Sequence, residues 1–264
     1  MLRTTTITLL TLFLFAGCSF ACTMVMLAKG DVILAGNNED WKDTNTRMWF
    51  VPATEKAYGR VCFGFDNGFT QGGMNDQGLF IDGNALAPTG WKADPDKTRF
   101  LFNPMDYILA HCATVDEAAE FFGKYNHPSL ARAKFPIADA FGGSIVVEWD
   151  QGKLQIIRRE GRYQISTNFV QTNFKPEDYP CSRYRTAEGI FKSTEDVSVD
   201  LVRSVLDATH QEGPYPTVYS NIYDLKNKVV YLYNFHNFDD PYVFDLAEEL
   251  KKGRRSIKIA SLFP

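Results

Sequence analysis

The chain has 264 residues, 45% of them hydrophobic and 23% charged, a balance that supports a packed core and excludes a disordered chain. Its 28 Lys+Arg against 32 Asp+Glu leave a net charge of −4, so there is no basic excess to neutralise a phosphate backbone, and nucleic acid is excluded as an expected partner. This length accommodates one large domain or two small ones.

The first element is an apolar run from Ile7 to Gly17 behind Arg3, interrupted only by Thr8 and Thr11. It is too short to span a bilayer and has the layout of a secretory signal peptide over residues 1–21. Two processing sites compete. Ser19-Phe20-Ala21 has small residues where a signal peptidase reads them, and cleavage there leaves Cys22 first. Phe15-Ala16-Gly17-Cys18 instead resembles a bacterial lipobox and would anchor the chain through a lipid on Cys18. Either way the protein is expected to be exported, periplasmic or extracellular, with residues 22–264 forming one domain.

Thr23 to Ala28 and Val32 to Gly36 read as strands joined by a tight turn at Lys29-Gly30-Asp31. Arg60 to Phe65, Phe69 to Gly73 and Leu79 to Asp82 continue as strands, with Asp66-Asn67-Gly68 and Asn75 to Gly78 as turns. The intervening Asp43–Tyr58 and the later Leu86–Thr98 read as loops long enough to line a site. Pro104 to Cys112 reads as a helix, and Thr114 to Glu117 is a capping box that starts another, to about Tyr125. A second meander is expected from Gly143 to Thr167, helices over Tyr184–Phe191 and Val199–Thr209, a hairpin over Thr217–Tyr233 and a helix over Asp245–Lys251. Antiparallel strand blocks alternating with helical blocks point to an α+β domain in which helices cover sheets.

Common catalytic motifs are missing: the sequence has no G-x-x-x-x-G-K-[ST], no H-E-x-x-H and no G-x-S-x-G, and His111, His127, His210 and His236 have no ligand spacing. No metal or cofactor is expected. Cys62 and Cys112 lie in apolar surroundings and read as small buried hydrophobes. Cys22 differs, because processing before it would place an α-amine, with pKa about 7.7–8.0, a few bonds from a thiol of pKa about 8.5. Such an amine can take the thiol proton and return it to a leaving group, which suits attack on an amide or ester carbonyl.

Cys22-Thr23 followed by Gly36-Asn37-Asn38-Glu39-Asp40-Trp41 resembles the N-terminal-nucleophile (Ntn) hydrolases. The resemblance is to the linear amide C–N hydrolase group that contains penicillin V acylase, choloylglycine (bile-salt) hydrolase and isopenicillin N acyltransferase. Gly73-Met74-Asn75-Asp76-Gln77-Gly78-Leu79, Ser166-Thr167-Asn168 and Cys181-Ser182-Arg183-Tyr184 are similar to three further family segments, in family order. The resemblance implies an αββα sandwich of two mainly antiparallel sheets. It also implies Cys22 as nucleophile, its α-amine as base and acid, and Asp40 as the carboxylate that holds the amine. Asn84 and Asn168 become the oxyanion donors, although strict spacing from Met74 lands on Ala85, and Arg183 complements the local negative charge. Bile-salt and penicillin V hydrolases carry Arg three residues before the Asp where this chain has Asn37, and the Cys-to-Asp spacing is one residue tighter here. The expected activity is therefore that of the broader group: cleavage of a non-peptide linear amide through an acyl-Cys22 intermediate. The alternatives are an acyltransferase, or an inactive, lipid-anchored binding module of the same fold. The expected partner is a small amide with an apolar acyl group, suggested by Trp41, Trp49 and Trp91; assembly into a homo-oligomer stays open.

Overall fold

A computed structural model describes residues 22–263. The expected signal peptide over residues 1–21 and the alternative anchor at Cys18 lie outside the described residues. Among the described residues, no helix is long and apolar enough to cross a membrane.

The first sheet is built on the hairpin β1 (Thr23–Lys29) and β2 (Val32–Asp40), joined by a turn with Gly30 at φ 60°. The other members are β11 (Tyr163–Ser166), β12 (Thr217–Asp224), β13 (Val229–Asn234) and β14 (Tyr242–Asp245), in the order β11-β1-β2-β12-β13-β14. The second sheet runs β10-β9-β8-β6-β5-β4-β3-β15. Its strands are β3 (Thr46–Val51), β4 (Arg60–Phe65), β5 (Thr70–Asn75), β6 (Phe80–Asp82), β8 (Ala133–Ala138), β9 (Ser144–Asp150), β10 (Lys153–Arg158) and β15 (Arg255–Lys258), and the short β7 (Asn84–Ala85) pairs with β8. All strand pairings in both sheets are antiparallel.

Strand alternation sorts side chains into layers. Met24, Met26, Ala35 and Tyr219 of the first sheet pack against Met48, Phe50, Phe63, Phe80 and Val146 of the second. The outer face of the first sheet, with Val25, Leu27 and Leu34, is covered by α3 (Ser182–Ser193) and α4 (Val199–Thr209) through Ala187, Phe191, Val202 and Leu206. Gly36 permits that closeness, since a Cβ there would lie 2.7 Å from Val202 Cγ1. The outer face of the second sheet, with Ile81, Ile137 and Val147, is covered by α1 (Pro104–His111) and α2 (Val115–Lys124). The capping box at Thr114 and Glu117 is present as expected. A short helix, α5 (Leu246–Lys251), follows β14. The result is the expected αββα sandwich.

The sequence reading missed several strands. The Asp43–Tyr58 stretch contains β3, and β8 and β15 were not anticipated, because Pro136 and the charged residues around 252–258 disguise their alternation. The G-M-N-D-Q-G-L segment is a fastening: Asn75 Nδ2 donates to the carbonyls of Leu109 (3.0 Å) and Cys112 (2.7 Å), and its Oδ1 accepts from the Leu79 amide (2.9 Å). Gly78 turns at φ 81°, where a Cβ would lie 2.2 Å from the Leu225 carbonyl oxygen.

Candidate active site

Cys22 stands immediately before β1 and is 7% exposed. The β1–β2 register pairs Thr23 with Asn38, which brings Cys22 to the end of β2 that carries Glu39 and Asp40. Two side chains hold its carbonyl oxygen: Arg183 Nη1 donates at 3.0 Å and Asn84 Nδ2 at 3.2 Å. Arg183, in the first turn of α3, also donates to Thr23 Oγ1 (2.8 Å) and Asn168 Oδ1 (3.3 Å), and its Nη1 lies 3.8 Å from Asp40 Oδ2. Cys22, Asp40, Asn84, Asn168 and Arg183, spread over 162 positions of sequence, are thus one connected cluster.

Asp40 is fully enclosed. It accepts hydrogen bonds from Thr217 Oγ1 and from Gln211 Nε2 (2.9 Å). Burial pushes its carboxyl up to about 7, against the opposing pull of Thr217, Arg183 and Gln211. The Cys22 thiol is also pushed well up, first by burial and then by the negative charges of Glu39 and Asp40, while the Asp40 backbone N–H favours the thiolate. These surroundings favour the neutral thiol over the thiolate.

The two asparagines are placed differently. Asn84 Nδ2 is engaged twice, by Cys22 O and by Met24 Sδ at 2.9 Å, and Ser166 Oγ donates to its Oδ1 at 2.6 Å. Asn168 Nδ2 donates to the Ala85 carbonyl at 3.0 Å, which leaves its second hydrogen. Both positions flagged by the spacing, Asn84 and Ala85, therefore belong to the cluster, one through its side chain and the other through its backbone.

Sequence reasoning missed four supporting groups. Glu39 and Asp82 are buried carboxyls, on β2 and β6, that face the space between the sheets. Burial pushes both well above the usual carboxylate range, and the Asp82 charge raises Glu39 further. Gly72 makes room for Asp82, since a Cβ there would lie 2.3 Å from Asp82 Oδ2. Lys134 and Glu148 form an ion pair at 3.7 Å with both side chains fully buried. Lys134 Nζ donates to the Phe169 carbonyl (2.8 Å) and Glu148 accepts from the Thr172 amide (2.8 Å), which pins the loop that carries Asn168. Asn37 has no hydrogen bond on either amide atom and is fully enclosed. The signal available for these groups was their polarity at positions where the strand pattern puts the core.

A cleft of about 310 Å³ opens beside Cys22 and is walled mainly by Trp41, Phe65, Phe69, Met105 and Phe135, with Glu39 and Asp40 at the thiol end. Of the loops expected to line a site, Asp43–Tyr58 contributes Asp43, whereas Leu86–Thr98 contributes nothing to this cleft. Of the three Trp residues that suggested an apolar acyl group, Trp41 lines the cleft. Trp49 packs against the core between the second sheet and its helices, and Trp91 lines a separate cavity with Trp149. All four described cysteines are free, and Cys62 and Cys112 are buried as expected.

Residues 26–239 match the family model described as acyl-coenzyme A:6-aminopenicillanic acid acyl-transferase. A mutant of the conjugated bile acid hydrolase from Clostridium perfringens superposes with a TM-score of 0.71 at 18% identity, over 90% of this chain and 96% of that one. Penicillin V acylase from Agrobacterium tumefaciens superposes with a TM-score of 0.65 at 19% identity, over 86% of this chain and 88% of that one. No curated protein matches the chain. The structural matches have the Ntn-hydrolase fold, in agreement with the resemblance read from the motifs.

Proposed function

We propose a function from one premise: the chain belongs to the acyl-coenzyme A:6-aminopenicillanic acid acyl-transferase family. The protein is an exported cysteine Ntn hydrolase, freed by cleavage before Cys22, that breaks a non-peptide linear amide with an apolar acyl group. The observation that carries this reading is the convergence of Cys22 with Asp40, Asn84, Asn168 and Arg183 in one cluster, of which Cys22 and Asp40 line an apolar cleft.

In this mechanism the α-amine of Cys22 takes the thiol proton, and the sulfur attacks the substrate carbonyl. Asp40 holds the amine, and its own carboxylate is held by Thr217, Gln211 and Arg183. The second hydrogen of Asn168 Nδ2 stabilises the oxyanion, and Asn84 joins it by giving up its weak contact with Met24. Collapse expels the amine, which leaves with the proton returned by the α-ammonium, and water then releases the acid from the acyl-Cys22 thioester. The buried thiol resists ionisation by itself, which supports a base as close as its own α-amine. The aromatic and Met walls of the cleft support an apolar acyl group.

The test is intact-mass and N-terminal analysis of the protein recovered from its native compartment, followed by incubation with a panel of N-acyl amides. A chain beginning at unmodified Cys22 that gains one acyl mass during turnover is the expected result. A chain retaining residues before Cys22 would overturn the mechanism and favour a lipid-anchored binding module. The family match favours one second reading, acyl transfer. Added amine nucleophiles would then give new amide products at the expense of free acid.

A further inference from the structure

His210 and His236 have no ligand spacing along the chain, yet the fold brings them together with Glu212. His210 caps the C-terminus of α4, Glu212 follows two residues later, and His236 lies in the turn after β13. The two imidazoles stack with centroids 4.7 Å apart and planes at 26°, and His210 Nε2 lies 3.8 Å from Glu212 Oε1. One candidate donor atom from each residue falls within 4.8 Å of the other two.

Two further features point to a ligand. His210 Nδ1 contacts the Asp207 carbonyl, and because a carbonyl only accepts, Nδ1 carries the proton. Nε2 is then the ring nitrogen left for a metal, 3.8 Å from Glu212 Oε1, and a ring held this way by its other nitrogen is the usual outer support of a metal-binding histidine. His236 Nε2 is enclosed and has no hydrogen-bond partner. An enclosed imidazole nitrogen without a partner is costly, and a bound cation would satisfy it. We infer that His210, Glu212 and His236 form a binding site for one divalent transition-metal ion of the zinc class, with two imidazole nitrogens and a carboxylate oxygen as ligands.

The donor set suits zinc, cobalt or nickel and does not suit magnesium or calcium, which take oxygen ligands. Tetrahedral donors about 2.0–2.1 Å from zinc are roughly 3.4 Å apart. Donors within 4.8 Å of one another therefore need to close by about an ångström, a shift shared between the Glu212 side chain, 78% exposed, and rotation of the two stacked imidazoles. Gln211, between two of the ligands, is the residue that donates to Asp40, so the metal would brace the segment that holds the Asp40 carboxylate.

The test is equilibrium dialysis of the Cys22→Ala chain with Zn²⁺, together with Co²⁺ absorption spectra, since Cys22→Ala removes the competing thiol at the cleft. The expected result is one Zn²⁺ per chain and a Co²⁺ spectrum without thiolate charge-transfer bands. Affinity should fall in His236→Ala and in His210→Ala by more than the roughly ten- to hundredfold that losing an outer support of a ligand costs. Glu212→Ala alters an exposed side chain that folding does not need, and it too should weaken Zn²⁺ binding. Unchanged Zn²⁺ affinity in the Glu212→Ala and His236→Ala variants, or no binding at all by the folded Cys22→Ala chain, would overturn the inference.

Discussion

Cys22 and Asp40 share one strand register but stand in different electrostatic positions. The thiol is pressed toward its neutral form by burial and two neighbouring acids, whereas the Asp40 carboxyl sits near 7 because hydrogen bonds and Arg183 offset part of its burial. Cys22→Ala should abolish turnover while preserving the fold, checked by activity against circular dichroism. Asn168→Ala, which removes the donor with a hydrogen to give, should lower kcat by about 10²–10³-fold at similar KM. The pH profile follows from Asp40: kcat/KM should fall on the acid side of about pH 7, as the carboxylate that holds the amine takes up a proton. The Thr217 hydrogen bond lowers the Asp40 pKa, so Thr217→Val should move that acid limb to higher pH. An acid limb that stays in place in Thr217→Val would show that another group sets it.

Single elements are held at the site by buried polar fastenings. The Lys134–Glu148 pair joins β8 and β9 to the loop carrying Asn168, and burial brings the Lys134 ammonium down to about 8 while Glu148 holds it up. Glu148→Gln leaves a buried ammonium without its counter-charge and should cost about 3–5 kcal/mol, measured by urea unfolding. The paired replacement Lys134→Met with Glu148→Leu should recover part of that loss, because the desolvation cost disappears with both charges while the Phe169 carbonyl and the Thr172 amide lose their partners. Asn75 is the comparable fastening for α1: Asn75→Ala strands two helix-end carbonyls and a turn amide, and roughly 2–3 kcal/mol should be lost.

At the scale of the whole molecule, Glu39 from one sheet and Asp82 from the other place acidic groups inside the sandwich. Both have folded pKa values raised above their unfolded values, so the stability linked to their protons is fully present below about pH 4 and is lost as pH rises through the folded values. Denaturation midpoints should therefore fall as pH rises above about 4. Asp82→Asn should flatten that dependence and raise the midpoint at pH 8. A midpoint with the same slope in Asp82→Asn would place the titration elsewhere.

Local chemistry was legible wherever a residue acts through its neighbours in sequence. The β1–β2 hairpin, the Thr114 capping box and the Gly78 turn follow from backbone preferences, and the ordered short motifs indicated the family and the five clustered residues. Strand periodicity could not indicate which sheet faces which. Glu39 with Asp82, Lys134 with Glu148, and His210 with His236 are therefore relations that only packing creates. The cleft walls were likewise hidden, because Phe65, Met105 and Phe135 come from β4, α1 and β8 and read in sequence as ordinary core. A sequence pattern reports how each residue meets its own strand or helix, whereas the field at Cys22 is a sum over Glu39, Asp40 and Asp82, which strands of the two sheets bring together around it.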